Sequence, residues 1–264
     1  MNYRTFFGAA SAAFLTIIVI LVLGTAASAA SKYETLYKFK GKADGAHPIG
    51  SLIFDQNGNL YGTTATAGKL SRPCDKGWRP LGLGCGTVFQ LTPNPDGSWK
   101  EKVLYEFKGR TDGDSPRADL TFDETGNLYG TTYQGGRIDC GAGCGTVFQL
   151  IANPDGSWSE NLLHMFFGRG TKNGRSPIAG LTSDQSGNLY GTANPVIFKL
   201  TPNLDGSWKY SVLHSFSGKD GWISGASLIF DQAGSLYGTM QSGGKLDACP
   251  GGAGGCGVVF KLTP

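Results

Sequence analysis

The residues of this chain that could do chemistry are three histidines, six cysteines and an aspartate that recurs at a fixed place. That aspartate sits in Gly41-Lys-Ala-Asp44-Gly-Ala-His47-Pro48 and again in Gly109-Arg-Thr-Asp112-Gly-Asp114-Ser-Pro116. Related copies are Lys172-Asn173-Gly-Arg-Ser-Pro177 and the shorter Gly218-Lys-Asp220-Gly221. Oxygens from Asp44, Asp112, Asn173 and Asp220, set in a ring, could hold a cation or sugar hydroxyls. Asp-Gly is also a turn sequence in its own right, because Asp bonds nearby backbone N–H groups and Gly takes positive φ, and that reading weighs more. His47 and Asp114 stand in the same loops. With Asp112 they could serve as acid and base on a polysaccharide, provided two carboxylates faced each other about 5–10 Å apart. Arg72 and Arg137 share this region with other basic residues and with Asp75, Asp139 and Asp247, so its charge is mixed and makes no phosphate-binding field.

The other histidines, His164 and His214, stand where Tyr37 and Tyr105 stand in other copies of one segment, so packing explains them better than catalysis. G-x-S-x-G, H-E-x-x-H and Walker-type loops are missing from the sequence. No catalytic residue, cofactor or metal site is assigned. Asp55-Gln-Asn-Gly-Asn59 looks like the start of a calcium loop, but it lacks the downstream Glu and its other copies lose the ligand positions. It reads as a turn. Trp99, Trp158 and Trp208 each open a strand beside a turn, where they are expected to cover a sheet edge.

The elements that must position these groups come from a repeat. Asp55-Gln-Asn-Gly-Asn59-Leu-Tyr-Gly-Thr63 returns at Asp123–Thr131, Asp184–Thr192 and Asp231–Thr239. Each unit parses into four short strands. Strand A precedes the Asp (51–54, 118–122, 179–182, 226–230) and strand B is the Asn-Leu-Tyr-Gly-Thr run. Strand C is Gly86–Thr92 and its copies, and strand D runs Trp99–Phe107, Trp158–Phe166 and Trp208–Phe216. The C–D link Asn-Pro-Asp-Gly is a strong hairpin signal. In the third unit the B–C link shrinks to Ala193-Asn194-Pro195, so B and C are antiparallel neighbours. An antiparallel four-strand meander is one blade of a β-propeller.

The fourth unit stops after strand C, while a spare strand D, Tyr33–Phe39, precedes the first. Pairing them would close a ring without exposed edges. The expected fold is therefore all-β: a propeller of four blades of four antiparallel strands, the N-terminal strand closing the last blade. Its units run 49–107, 118–166, 178–216 and 226–264, with 33–39 added. Two chains in a larger ring, or an arc of a longer array, are the alternatives. The A–B and C–D turns then share one face, and the variable B–C and D–A loops share the other, where binding is expected. All six cysteines fall in the B–C loops, as Cys74 and Cys85, Cys140 and Cys144, Cys249 and Cys256, and disulfides within each loop are expected. No C-x-x-C spacing supports zinc.

Residues 1–29 read as a secretory signal peptide: Arg4, an apolar run from Phe6 to Leu23, then Ala27-Ser28-Ala29. An uncleaved anchor helix is the competing reading of that run. The rest, 30–264, is expected to be one domain, secreted, periplasmic or on the cell surface, with no membrane span in the mature chain. With 42 glycines in 264 residues a mostly helical fold is excluded, since interior glycines each cost a helix about 1 kcal/mol. The formal net charge of +3 is too small to suggest a nucleic-acid partner.

The repeated G-N-L-Y-G-T-T and G-T-V-F-x-L-T-P, with L-Y-x-F-x-G-x-x-D-G between them, resemble the GloVer tandem repeat family across residues 33–264. The resemblance implies a bacterial, exported, propeller-like repeat protein and brings no activity or catalytic residues with it. Many members end in a surface anchor. A sequence ending at Pro264 without a hydrophobic tail puts such attachment in doubt. The expected role is a monomeric binding or scaffold module for an extracellular glycan or surface protein. An extracellular polysaccharide hydrolase or lyase and a structural cell-surface component are the alternatives.

Overall fold

The computed structural model describes residues 31–68, 74, 84–109, 112–137, 140–168, 173–222, 224–245 and 254–263. Its strands form four sheets, all within the compact unit Leu36–Pro264. The first holds β1 (Ala46–Pro48), β2 (Ile53–Phe54), β3 (Leu60–Thr66), β4 (Thr87–Pro93) and β5 (Trp99–Glu106). The second holds β6 (Asp114–Pro116), β7 (Thr121–Phe122), β8 (Leu128–Gln134), β9 (Thr146–Ala152) and β10 (Trp158–Met165). The third is β11 (Thr182–Ser183), β12 (Leu189–Ala193), β13 (Val196–Pro202) and β14 (Trp208–Ser215). The fourth is β15 (Ile229–Phe230), β16 (Leu236–Met240) and β17 (Val258–Leu262). Every strand pair is antiparallel, and in the third sheet spatial order follows chain order, the meander expected of a propeller blade. Strand A is reduced to β2 and β7, and the expected D–A loops add a short strand of their own: β1 and β2 both pair β3, and β6 and β7 both pair β8.

The A–B turn owes its shape to one carboxylate. Asp123 Oδ1 accepts the N–H groups of Thr125 and Asn127, while Oδ2 accepts the Asn127 carboxamide at 2.9 Å and the Tyr129 hydroxyl at 3.0 Å. Asp55, Asp184 and Asp231 repeat this with Tyr61, Tyr190 and Tyr237. The calcium-like sequence is thus a self-satisfied turn. The glycine of Leu-Tyr-Gly-Thr serves packing: a Cβ on Gly130 would meet the Phe148 ring at 2.5 Å.

The sheets bury their faces on one another. Phe107, just past β5, meets Phe148 of the second sheet at 5.0 Å, Phe166 meets Phe198 at 5.4 Å, and Phe216 meets Phe260 at 5.4 Å. Edge-on pairs Tyr61–Phe122 and Tyr190–Phe230 repeat at 5.1 Å. Thr63 and Thr131 donate to the carbonyls of Ala118 and Ala179 in the next sheet. Among the described residues, three of the hydrophobic cores lie between consecutive sheets.

The expected closure of the last blade is not made. Leu36–Lys40 carries no strand, and no described strand pairs the outer edge of β17. The reason lies in where its aromatics go. Phe39 packs on Phe89 of the first sheet at 5.0 Å, as Phe107 does on Phe148, and Tyr37 joins Leu60, Phe89 and Leu91 there. The segment holds the place of a preceding strand D, but among the described residues no core joins the fourth sheet to the first, and its backbone meets no ladder partner there.

Candidate functional site

The recurring aspartates turn back onto their own strand D. Asp44 accepts the Tyr37 hydroxyl at 3.0 Å and the N–H groups of Lys40 and Lys42. Asp112, 4 % exposed, accepts the Tyr105 hydroxyl at 2.6 Å and the Lys108 N–H. Asp220 accepts from Ser217 and lies 3.0 Å from His214 Nε2, and the Asn173 carbonyl accepts the Tyr210 hydroxyl. β5 and β14 each end the strand order of their sheet, so the side chains of Asp112 and Asp220 are anchored on an edge strand. Their donors hold Asp220 down to about 2, the Ser217 N–H foremost, against a smaller opposing effect of burial.

The other candidates are dispersed. His47 is exposed and bonds Thr66 Oγ1 at 2.7 Å. Arg137 lies over the Phe167 ring at 5.1 Å. Arg72 lies outside the described residues. Asp114 is buried beside the sulfurs of Cys74 and Cys85, but these are joined as a disulfide and leave no thiolate for a metal. Cys140 and Cys144 form the second bridge, with Cα atoms 5.2 Å apart. Cys256 is disulfide-bonded as well, and Cys249 lies outside the described residues. His164 stacks flat on Tyr210 at 3.8 Å, and burial pushes it down to about 4, so it is a neutral packing ring.

What the loop face does assemble is a polar hollow of about 420 Å³. Tyr133 and Gln134 at the end of β8 form one side, and the bridged loop Cys140–Gly143 a second. Arg175, Ser176 and Ile178, from the connector into the third sheet, meet Asn194 of the link between β12 and β13. Backbone bonds lock these loops together: Ser176 N–H to the Cys144 carbonyl at 2.6 Å and Arg175 N–H to the Asn194 carbonyl at 2.9 Å. Ser176 takes φ 48°, and His47 and Ser115, also just before a proline, take 57° and 61°. A left-handed residue before proline is costly, and it persists because the surrounding bonds over-determine it. The Arg117 guanidinium sits 4.4 Å over the Tyr133 ring and steadies that wall. Asn194 Oδ1 is enclosed yet accepts no hydrogen bond from any described residue. Arg175 is exposed at the rim.

These loops hang on a repeat frame, and the frame identifies the chain. A family model described as the Gloeobacter/Verrucomicrobia repeat matches residues 27–248. The chain belongs to this repeat family. No curated protein matches it. Among solved structures, this repeat chain is similar to a luciferin-regenerating enzyme at 17% identity, covering 81% of this chain and 60% of that one, with a TM-score of 0.46. A virginiamycin B lyase from Staphylococcus aureus follows at 15% identity, covering 74% and 49%, with a TM-score of 0.40. A putative 6-phosphogluconolactonase from Bacteroides uniformis is similar at 15% identity, covering 80% and 56%, with a TM-score of 0.43. The Gloeobacter/Verrucomicrobia repeat chain thus spans about half to three-fifths of the length of these structures.

Sequence reasoning missed the hollow because Tyr133, Gln134 and Asn194 lie outside the recurring aspartate motif. The only signal was the unusually short link Ala193-Asn194-Pro195. It also missed Glu101 and Glu160, the third residues of β5 and β10. Burial, then the carboxylates of Asp44 and Asp112, push both up to about 7.

Proposed function

We propose that this chain is an exported, non-catalytic binding module that takes a glycan in the hollow between Tyr133, Gln134, Arg175 and Asn194. The enclosed, unpartnered Asn194 Oδ1 carries the reading, because a buried acceptor left without a donor costs roughly 1–3 kcal/mol and invites a ligand hydroxyl. Gln134 and Arg175 add donors for further hydroxyls, and Tyr133 offers an aromatic wall. The volume falls in the range of about 300–1,000 Å³ usual for small-ligand sites and suits one or two sugar rings. Export rests on Arg4, the apolar run and Ala27-Ser28-Ala29, with the loop disulfides in support. No helix among the described residues is long and apolar enough to cross a membrane.

The test is a glycan array probed with the purified chain, each hit then assayed for release of reducing ends or unsaturated products. Binding that Asn194→Ala weakens at least tenfold, without turnover, is the expected outcome. Binding unaffected by Asn194→Ala and Arg175→Ala removes the site, and turnover removes the non-catalytic role.

A further inference from the structure

The two end sheets expose several residues whose counterparts at the internal junctions are covered. Val88, Val147 and Ile197 are fully covered by the next sheet, whereas Val259, their counterpart on β17, is 80% exposed. Thr63 and Thr131 are buried at 2% and bonded into the next sheet, and their counterpart Thr239 is exposed. Ile229 is 65% exposed beside them. On the other end, Leu52 and Phe54 are 46% and 66% exposed, while Leu120 is 4% exposed and Phe122 is packed against Tyr61. One end therefore presents the giving half of a junction and the other the receiving half. The backbone agrees. Among the described residues no strand pairs the outer edge of β17, and Tyr37 is the counterpart of Tyr105, His164 and His214, which pair Val88, Val147 and Ile197 in register.

We propose that a second copy of this chain seats on these faces head to tail, Val259 and Tyr237 of one copy meeting Phe54 and Tyr37 of the other. The new contact continues the interface already made between consecutive sheets, with Tyr237 edge-on to Phe54 as Tyr61 is to Phe122. The Leu36–Lys40 backbone then completes the β17 ladder, which caps an edge otherwise open to uncontrolled pairing. Such a contact is heterologous, and two copies close it on themselves into a ring of eight sheets, within the roughly four to eight blades that propellers use.

Analytical ultracentrifugation of the full chain tests this. The expected mass is twice that of a single chain. Val259→Asp and Phe54→Asp should each give single chains with unchanged circular dichroism, since both residues are exposed within one copy. An equimolar mixture of the two variants should regain the two-chain mass, because each retains the face the other lacks. A single-chain mass for the unaltered protein at all concentrations, as closure within one chain would give, overturns the proposal, as does a pair of variants that still assemble alone.

Discussion

Tyr105 donates its hydroxyl to Asp112 at 2.6 Å, across the turn that ends strand β5. Glu160 of the next sheet faces this pair, and Glu101 faces the matching Tyr37–Asp44 pair one sheet earlier. A phenol, a carboxylate and a second, partly buried carboxyl thus recur beside β5 of the first sheet and β10 of the second.

Stability should fall as pH rises toward neutrality. Glu101 and Glu160 are raised to about 7 by burial, then by Asp44 and Asp112, with Lys40 and Lys108 opposing. Below the ordinary glutamate value both states are protonated and nothing is lost. Between there and about 7 the unfolded chain ionises first, so folding loses stability, and above 7 the loss is constant. A tenfold difference in proton affinity between the folded and unfolded chain is worth about 1.4 kcal/mol, and solvent screening of these half-buried groups limits the loss to about 1–2 kcal/mol each. The Tm should be higher at pH 5 than at pH 8. Glu101→Gln with Glu160→Gln should raise the pH 8 value and flatten the profile, as read by calorimetry.

The turn aspartate is a stability residue. Asp123→Ala strips acceptors from two backbone N–H groups, Asn127 and Tyr129, and should cost about 2–3 kcal/mol in urea unfolding. Added calcium should leave that difference unchanged.

Gly130→Ala should cost about 1–3 kcal/mol through overpacking, because the new methyl would meet Phe148 at 2.5 Å and Leu120 at 3.0 Å. A glycine placed only for backbone freedom would tolerate alanine at this position, since its φ is not positive.

The repeat made much of this molecule readable. Strand boundaries near Trp99, Trp158 and Trp208, the Asp turns and the pairings of Cys74 with Cys85 and Cys140 with Cys144 follow from local chemistry that recurs in register. Ring closure did not follow. The likeness of Tyr33–Phe39 to strand D shows which pocket Phe39 fills, on Phe89, but not whether β17 comes within hydrogen-bonding distance, which depends on the rotation between sheets. The turn reading of the aspartate motif rests on local chemistry too: Asp44, Asp112 and Asp220 each accept backbone N–H groups of the preceding residues. The hollow is the reverse case, built from Asn194, Arg175 and Tyr133, which occur once each and meet only through tertiary structure.

The bridges pin the loop face. Cys74→Ser with Cys85→Ser should lower unfolding free energy by about 2–3 kcal/mol, the chain-entropy value for so short a loop. The strands should keep their far-ultraviolet signature, because both cysteines lie outside the ladders of β3 and β4.

Hydrogen–deuterium exchange with and without a saturating glycan addresses the placement of the site most directly. Protection is expected at Tyr133, Gln134, Arg175, Ser176 and Asn194, with the turns Asp55–Asn59, Asp123–Asn127 and Asp184–Asn188 unchanged. Protection confined to those turns would place recognition on the opposite face and contradict the site described for this chain.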